Sequence, residues 1–281
     1  MRRASHPRLR VLPYVTLLAA FVVVALVPQP LAPQDPNATD LFLRLQPPGF
    51  WSGGHTFWLG TDSLGRDQLS RLLWGAQVSL FVSVAAVLVA GTAGSTLGVL
   101  AGYFGGVPGA IVMRLADLVL SIPFFLLAIL TVVVLGPSLL NLIIVLGLVR
   151  WPRYARVAFG QTLDTKNRDF VRATRAIGAG SGRLITRHVL PDVLPALIVV
   201  ATLEVGLMIL YEAALSFIGL GVQPPTASWG SMLAEGQKYV QTAWWLATFP
   251  GMALFLVVLS VNLIGDFARD LLDPKERSIR T

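Results

Sequence analysis

The sequence predicts an all-α integral membrane protein, and three observations support that class. First, 54% of the 281 residues are hydrophobic and only 13% are charged, about half the charged share of a typical soluble domain. Second, the apolar residues gather in six long runs. Third, Lys and Arg concentrate in alternate connections between those runs, as they do in the cytoplasmic loops of membrane proteins.

Six transmembrane helices are expected, because a helix needs about 20 mostly apolar residues to cross a bilayer. The runs are residues 12–27, 77–103, 110–135, 138–158, 193–221 and 244–265. The first run follows four arginines, as a secretory signal does, but no small-residue cleavage site follows it. We therefore expect a retained span. In the third run, Pro123 is expected to kink the helix.

The distribution of basic residues orients the chain. With the N-terminus inside, the cytoplasmic segments and the inner end of the fourth span hold 17 Lys and Arg, and the outer segments hold 4. Both termini are therefore expected in the cytoplasm. Residues 1–76 comprise the N-terminal tail, the first helix and an extracytoplasmic cap loop from about residue 28. Residues 77–281 form the main transmembrane domain, with a cytoplasmic loop at 159–192.

Several functions are disfavoured by missing residue patterns. Cysteine is absent, so disulfides, thiolate metal sites and cysteine nucleophiles are excluded. The three histidines are far apart in the sequence and predict no metal site. There is neither a GxxxxGK[ST] loop to hold a nucleotide nor an identifiable nucleophile, base and orienting group, so no enzyme is expected. The net charge of +7 indicates contact with a membrane surface rather than nucleic acid, since the basic residues interleave with apolar runs.

The cytoplasmic loop contains a stretch, DFVRATRAIGAGSGRLITRHVLP from Asp169 to Pro191, that predicts two short helices joined by glycines. Asn167 can cap the first helix and Gly178 suits the position after its end. Ser181 can cap the second helix, which Pro191 is expected to end. Such a basic segment either lies on lipid headgroups or docks a partner protein.

This stretch resembles the cytoplasmic signature of permease subunits of ATP-binding cassette importers: Glu-Ala-Ala, a Gly four residues later, and Ile-x-Leu-Pro nine residues on. Arg172 stands where Glu is usual, Thr174 where the second Ala is usual, and His188 at the Ile position. In that family the helix–glycine–helix unit fits a groove on the ATPase subunit. The resemblance implies an ATPase-coupling role for Arg172, Ala173, Thr174, Arg175, Gly178, Leu190 and Pro191.

Three further stretches resemble the dipeptide, oligopeptide and nickel branch of these permeases, and specifically its second, C-type subunit. They are LGTDSLGRDQLSRLLWGAQVSL from Leu59, YEAALSFIGLGVQPPTASWG from Tyr211 and the C-terminal GDFARDLLDPKE from Gly265. In the first stretch, Asp62, Gly65, Arg66 and Asp67 belong to the extracytoplasmic cap. There they either tie down the cap or contact substrate.

The resemblance implies a type I importer fold of six helices with a cytoplasmic coupling helix, in the plasma (inner) membrane. It implies a homologous permease as heterodimer partner, two ATP-binding cassette subunits or domains and an extracytoplasmic binding protein. This chain would bind no cofactor, and ATP and Mg would act on the ATPase subunits. A di- or oligopeptide is the expected substrate. Nickel or another small solute is the alternative substrate, and a secondary transporter driven by an ion gradient is the alternative function.

Charged and small residues inside the spans are further candidates. Glu212, with Glu204 and Ser216, either lines the pathway or makes hydrogen bonds between helices. Arg114 and Asp117 are spaced i and i+3, which predicts an intramembrane ion pair, with a gate that breaks this pair as the alternative. The glycines at 94, 98 and 102 predict close helix packing within the chain or across a dimer.

Overall fold

The computed structural model describes residues 7–272, in which helices dominate. Their bounds are Pro7–Leu26 (α1), Pro28–Leu31 (α2), Gln68–Phe104 (α3), Gly106–Ser121 (α4), Phe124–Leu135 (α5), Leu139–Lys166 (α6), Asp169–Ala176 (α7), Ser181–Leu184 (α8), Leu190–Phe217 (α9), Trp229–Gln237 (α10) and Trp245–Leu272 (α11). A two-stranded antiparallel hairpin, Phe50–Ser52 (β1) and His55–Phe57 (β2), lies in the cap. The predicted all-α class is confirmed apart from this hairpin. The end of the C-terminal motif, from Asp273, lies outside the described residues.

The structure has a helix at each of the six predicted spans, but not all of them can cross a membrane by length and apolarity alone. Within residues 7–272, three continuous helical stretches meet that criterion: Gln68–Phe104, Ser181–Phe217 and Trp245–Asp270. α4 and α5 together make a fourth candidate, bent by 96°. The apolar part of α1 is shorter, and the middle of α6 carries arginines. That α1 and α6 also cross the membrane, which would give six transmembrane helices, therefore remains a prediction.

The third predicted span is broken rather than kinked. α4 ends at Ser121, Ile122 has an extended backbone with ψ of 132°, and Pro123 precedes α5. A residue before proline is driven out of the helical region by the proline ring, and proline itself cannot donate to the preceding turn. The sequence located the bend correctly, but its size depends on the packing around it.

Small residues let α3 and α6 pack closely along their length. A Cβ added to Gly94 would lie 2.2 Å from the carbonyl oxygen of Trp151, and one added to Gly98 would lie 2.3 Å from that of Ala155. At Gly102 the corresponding distance, to the oxygen of Phe159, is 2.9 Å. The glycine stripe therefore serves packing within this chain, which is one of the two roles its spacing predicted.

Two groups of buried apolar side chains hold the bundle together. The larger lies among α3, α5, α6 and α9. The smaller surrounds Trp229, whose indole nitrogen donates to the carbonyl oxygen of Leu72 at 3.1 Å. The rings of Phe21 of α1 and Trp229 form a T-shaped pair with centroids 5.8 Å apart. α1 is thus packed onto the bundle formed by the later helices.

The cytoplasmic loop differs from its prediction in three details. Arg168, not Asn167, occupies the N-cap of α7, and Gly180, not Ser181, occupies that of α8. Pro191 does not end the second helix. A five-residue π-helical turn, Ile185–Val189, joins α8 to α9. Because a helical proline clashes with the carbonyl four residues earlier, a local π turn relieves the contact and the helix continues.

Candidate functional site

The helix α7 presents most of its surface away from the rest of the chain. Only Val171 is buried in it, while the side chains of Phe170 and Ile177 are 47% and 85% exposed. Arg172 and Ala173 are exposed beside them. The apolar side chains of Phe170 and Ile177 are therefore left open, and exposed apolar surface of this kind is typical of a protein interface.

Other residues of the predicted coupling set face the permease bundle instead. The guanidinium of Arg175 donates to the Tyr103 hydroxyl at the end of α3, at 3.1 Å, and lies 5.4 Å from that ring's centre. Leu190 packs against the larger core. Thr174 instead bonds within α7, where its hydroxyl donates to the carbonyl of Phe170 one turn earlier. The set thus divides into an outward group and a group that anchors the segment.

The two short helices are joined at Gly178, whose φ is +91°. This conformation is rarely adopted by residues with a Cβ, and it suits the position after a helix end. Nothing lies within 4 Å of a Cβ built on Gly178. The backbone angle, and not a lack of space, is therefore what requires glycine here.

The coupling segment, Asp169 to Pro191, is fixed to both α6 and α9 by Arg168, the residue that directly precedes it. Arg168 donates to Asp164 of α6 at 3.0 Å and to Asp192 of α9 at 3.1 Å. Asp192 also accepts a hydrogen bond from the hydroxyl of Thr165. A displacement of α7 would therefore be transmitted to the two helices that form much of the larger core.

Inside the bundle, Glu204 is fully buried on α9 and bound by arginines of α6. Arg150 holds its two oxygens with its Nε and Nη2 atoms, at 2.9 and 2.6 Å. The Nε atom of Arg153 lies 3.1 Å from the same carboxylate. The guanidinium of Arg150 also lies 5.5 Å from the centre of the Tyr211 ring. Glu204 is thus already neutralised and does not offer a free carboxylate to a solute.

Glu212 and Ser216 are buried too, so neither side chain reaches the surface of this chain in the present conformation. The Ser216 hydroxyl donates to one carboxylate oxygen of Glu212 at 2.8 Å and accepts from the backbone N–H of Val222 at 3.1 Å. These bonds tie the turn after α9 to the helix itself. Within the described chain, the second oxygen of Glu212 makes no hydrogen bond.

The predicted ion pair between Arg114 and Asp117 is wrong. Asp117 accepts instead from Arg156 of the neighbouring α6, and Arg114 is exposed on α4. The i, i+3 spacing allows Arg114 to contact Asp117, but the guanidinium of Arg156 on the packed helix α6 forms the ion pair instead. The pair that does form is about half exposed on both sides.

The cap residues form a polar cluster that joins the cap to α3 and α10. Asp62 accepts from the Nε atom of Arg66 at 2.6 Å, and Glu235 of α10 lies 3.2 Å from the same guanidinium. Asp67 caps α3 by accepting from the N–H of Ser70 at 2.8 Å. At Gly65, with φ of +75°, a Cβ would lie 1.8 Å from the carbonyl oxygen of Asp40. All four predicted cap residues therefore make contacts within the chain.

Comparison with known proteins decides the family. Residues 94–278 match the family described as binding-protein-dependent transport system inner membrane component. This chain belongs to that family. The family resemblance found in the coupling segment is thereby confirmed.

Two relatives show how far the likeness to family members extends. The probable D,D-dipeptide transport system permease protein DdpC of Escherichia coli (strain K12) is 47% identical over 245 residues, covering 87% of this chain and 80% of that protein. The di/tripeptide transport system permease protein DppC of Pseudomonas aeruginosa (strain UCBPP-PA14) is 46% identical, covering 87% and 81%.

A solved structure supports the fold. The inward-facing MetNI methionine ABC transporter shares 22% identity and a TM-score of 0.56 over 72% of this chain and 96% of the matched chain. The predicted importer permease fold is therefore confirmed. In this permease, no group of three or more His, Asp or Glu side chains that could hold a metal ion occurs among residues 7–272.

Sequence reasoning missed the arginine contacts of Glu204. Arg150, Arg153 and Arg156 were counted as part of the positive inner end of a span, yet they pair with acids on two other helices. Their spacing of three residues places all three arginines on one side of α6, and this pattern was the sequence signal for contacts with acids on neighbouring helices.

Proposed function

We propose that this chain is the permease subunit of an ATP-driven importer of di- or oligopeptides, forming half of the translocation pathway. Its relatives named as dipeptide permeases match at 40% to 47% identity over most of the chain. The substrate class rests on that likeness. Peptides would be delivered by an extracytoplasmic binding protein, and the other half of the pathway would come from a homologous permease.

The observation that carries the mechanism is the exposed α7 on a segment fixed to α6 and α9. An ATPase subunit would dock on Phe170, Ile177 and Arg172. As the ATPase subunits close, they would move the anchored ends of α6 and α9. Hydrolysis of ATP, with its Mg, belongs to the two ATPase subunits or domains. The protein would lie in the inner membrane with both termini in the cytoplasm.

Alternating access in such an importer is rocking of the two permease halves around a central cavity. Glu204 with its arginines would lie within this chain's share of that region. Glu212 and Ser216 would join the pathway only in another conformation, since both are buried here. The cap cluster around Arg66 would hold the outer end of α3 while the halves move.

The coupling mechanism is tested with a matched pair of variants, Gly178→Ala and Gly180→Ala. A Cβ meets nothing within 4 Å at either position, but φ is +91° at Gly178 and −68° at Gly180. The strain at Gly178 costs about 1–2 kcal/mol, enough to change the turn between the two helices.

We expect Gly178→Ala to lower peptide uptake per ATP hydrolysed in proteoliposomes that contain the complete importer, while the protein still assembles. Gly180→Ala should keep the same peptide uptake per ATP hydrolysed as the unmodified importer. If both variants give the same peptide uptake per ATP hydrolysed, the turn at Gly178 does not transmit the closure of the ATPase subunits.

A further inference from the structure

Three arginines form a stripe on one side of α6. Arg150, Arg153 and Arg156 follow at intervals of three residues, so they stand one above another along the helix. Two carboxylates meet them, those of Glu204 on α9 and Asp117 on α4. Three guanidinium groups face two carboxylates, which leaves one positive charge uncompensated.

The excess charge lies on Arg153. Arg150 makes two hydrogen bonds to Glu204, and Arg156 is paired with Asp117. Arg153 approaches Glu204 only through its Nε atom, at 3.1 Å. Its side chain is 51% exposed, and its two terminal nitrogens make no hydrogen bond to any residue between 7 and 272. Four N–H groups of one guanidinium are therefore left for another acceptor.

The contact with Glu204 draws the guanidinium of Arg153 into the bundle, although Arg153 itself belongs to the inner end of the fourth predicted span. Arg153 is the fifteenth of the 28 residues of α6, and Glu204 is the fifteenth of the 28 residues of α9. Glu204 is eleven residues from the start of the fifth predicted span at residue 193, about 16 Å along the helix. An unpaired charge inside a span is costly and by default marks a solute pathway or a partner, and lipid phosphate at the inner surface is the competing acceptor.

Aromatic side chains lie near the arginine stripe, around Arg150. One turn from Arg153, Arg150 lies against Tyr211, and the Tyr211 ring stacks on Phe124 with centroids 3.7 Å apart. Phe124 begins α5, directly after the 96° break in the third span. Transporter sites commonly form near the middle of the membrane beside such broken helices.

We propose that the terminal nitrogens of Arg153 bind the C-terminal carboxylate of the peptide during translocation, with Tyr211 and Phe124 offering an apolar surface to its side chains. This inference rests on the proposed peptide substrate. The planar guanidinium matches a carboxylate through two parallel hydrogen bonds. The terminal carboxylate is common to peptides of any sequence, so its recognition permits import without selection of side chains.

The test is competition binding to the complete permease–ATPase complex in nanodiscs, without the binding protein, which could itself reject modified peptides. A radiolabelled dipeptide is displaced by the same dipeptide as the free acid or as its C-terminal amide. The unmodified complex should bind the free acid at least about tenfold more tightly than the amide, as expected for loss of a charge-assisted pair.

The variant Arg153→Gln should abolish this preference, and Arg153→Lys should retain part of it because the charge remains without the two-nitrogen fork. Arg114→Gln is the matched control. It removes another exposed guanidinium from a neighbouring span, and it should leave the preference for the free acid unchanged.

The outcomes separate this inference from the proposed function. If the importer takes up peptides with ATP but binds acid and amide equally, or if Arg153→Gln keeps the preference, the carboxylate site is wrong. Absence of measurable binding in the millimolar range also overturns it. If Arg153→Gln instead prevents copurification of the second permease, the acceptor is a carboxylate of that subunit. If the unmodified importer takes up no peptide, the proposed function itself fails.

Discussion

Replacing Gly98 by alanine should destabilise the permease by separating α3 from α6. The new Cβ would lie 2.3 Å from the carbonyl oxygen of Ala155, 2.8 Å from the Cβ of Ala158 and 2.9 Å from the Cα of Ala155. All three are below ordinary contact distance, and two are backbone atoms that cannot rotate away. Overpacking of this kind costs about 1–3 kcal/mol.

Gly160→Ala is the control, since it makes the same chemical change on α6 where nothing lies within 4 Å. There the gain in helix propensity should stabilise the protein by about 0.5–1 kcal/mol. The two variants should therefore shift the free energy of unfolding in opposite directions.

The assay is the thermal unfolding midpoint of the purified importer with each variant. We expect a fall of several degrees for Gly98→Ala, at about 2–4 °C per kcal/mol for a chain of this size. Gly160→Ala should show no fall. If Gly98→Ala leaves the midpoint unchanged or raises it, the close contact between α3 and α6 is refuted.

Two further predictions concern charged residues. Glu204→Ala should cost about 3–5 kcal/mol because it strands the buried guanidinium of Arg150, whereas Asp117→Ala, which breaks a half-exposed pair, should cost at most about 1 kcal/mol. Similar unfolding midpoints for these two variants would contradict this difference. Arg172 is exposed and has no ion-pair partner among residues 7–272, so we expect an acidic partner on the ATPase subunit. Arg172→Glu should reduce copurification of the ATPase more than Arg172→Gln does, and improved assembly would refute the hypothesis.

Much of the fold could be predicted because it depends on local patterns. Apolar runs located the helices, the glycines at 94, 98 and 102 predicted a close approach, and Pro123 predicted a bend. Each signal lies within a few turns of the structure that it determines. The family signature likewise identified the coupling segment, although its caps fell one residue away from the predicted positions.

Contacts between distant parts of the chain could not be predicted in the same way. Arg150 and Glu204 are 54 residues apart, and nothing in either local pattern indicates their pairing. Asp117 was assigned to the nearest arginine in sequence, whereas the fold brought Arg156 to it from another helix. Pro191 predicted the end of a helix, because sequence rules do not show that a π turn can relieve the clash between a proline ring and the preceding turn.

The central claim is that this chain is the permease of an ATP-driven peptide importer, and peptide uptake into proteoliposomes tests it most directly. The chain would be reconstituted with its cognate permease, ATPase subunits and binding protein, with ATP supplied on the ATPase side. Uptake should require ATP hydrolysis and persist when proton and sodium gradients are collapsed. Uptake that continues with hydrolysis blocked and follows an imposed ion gradient would contradict the account.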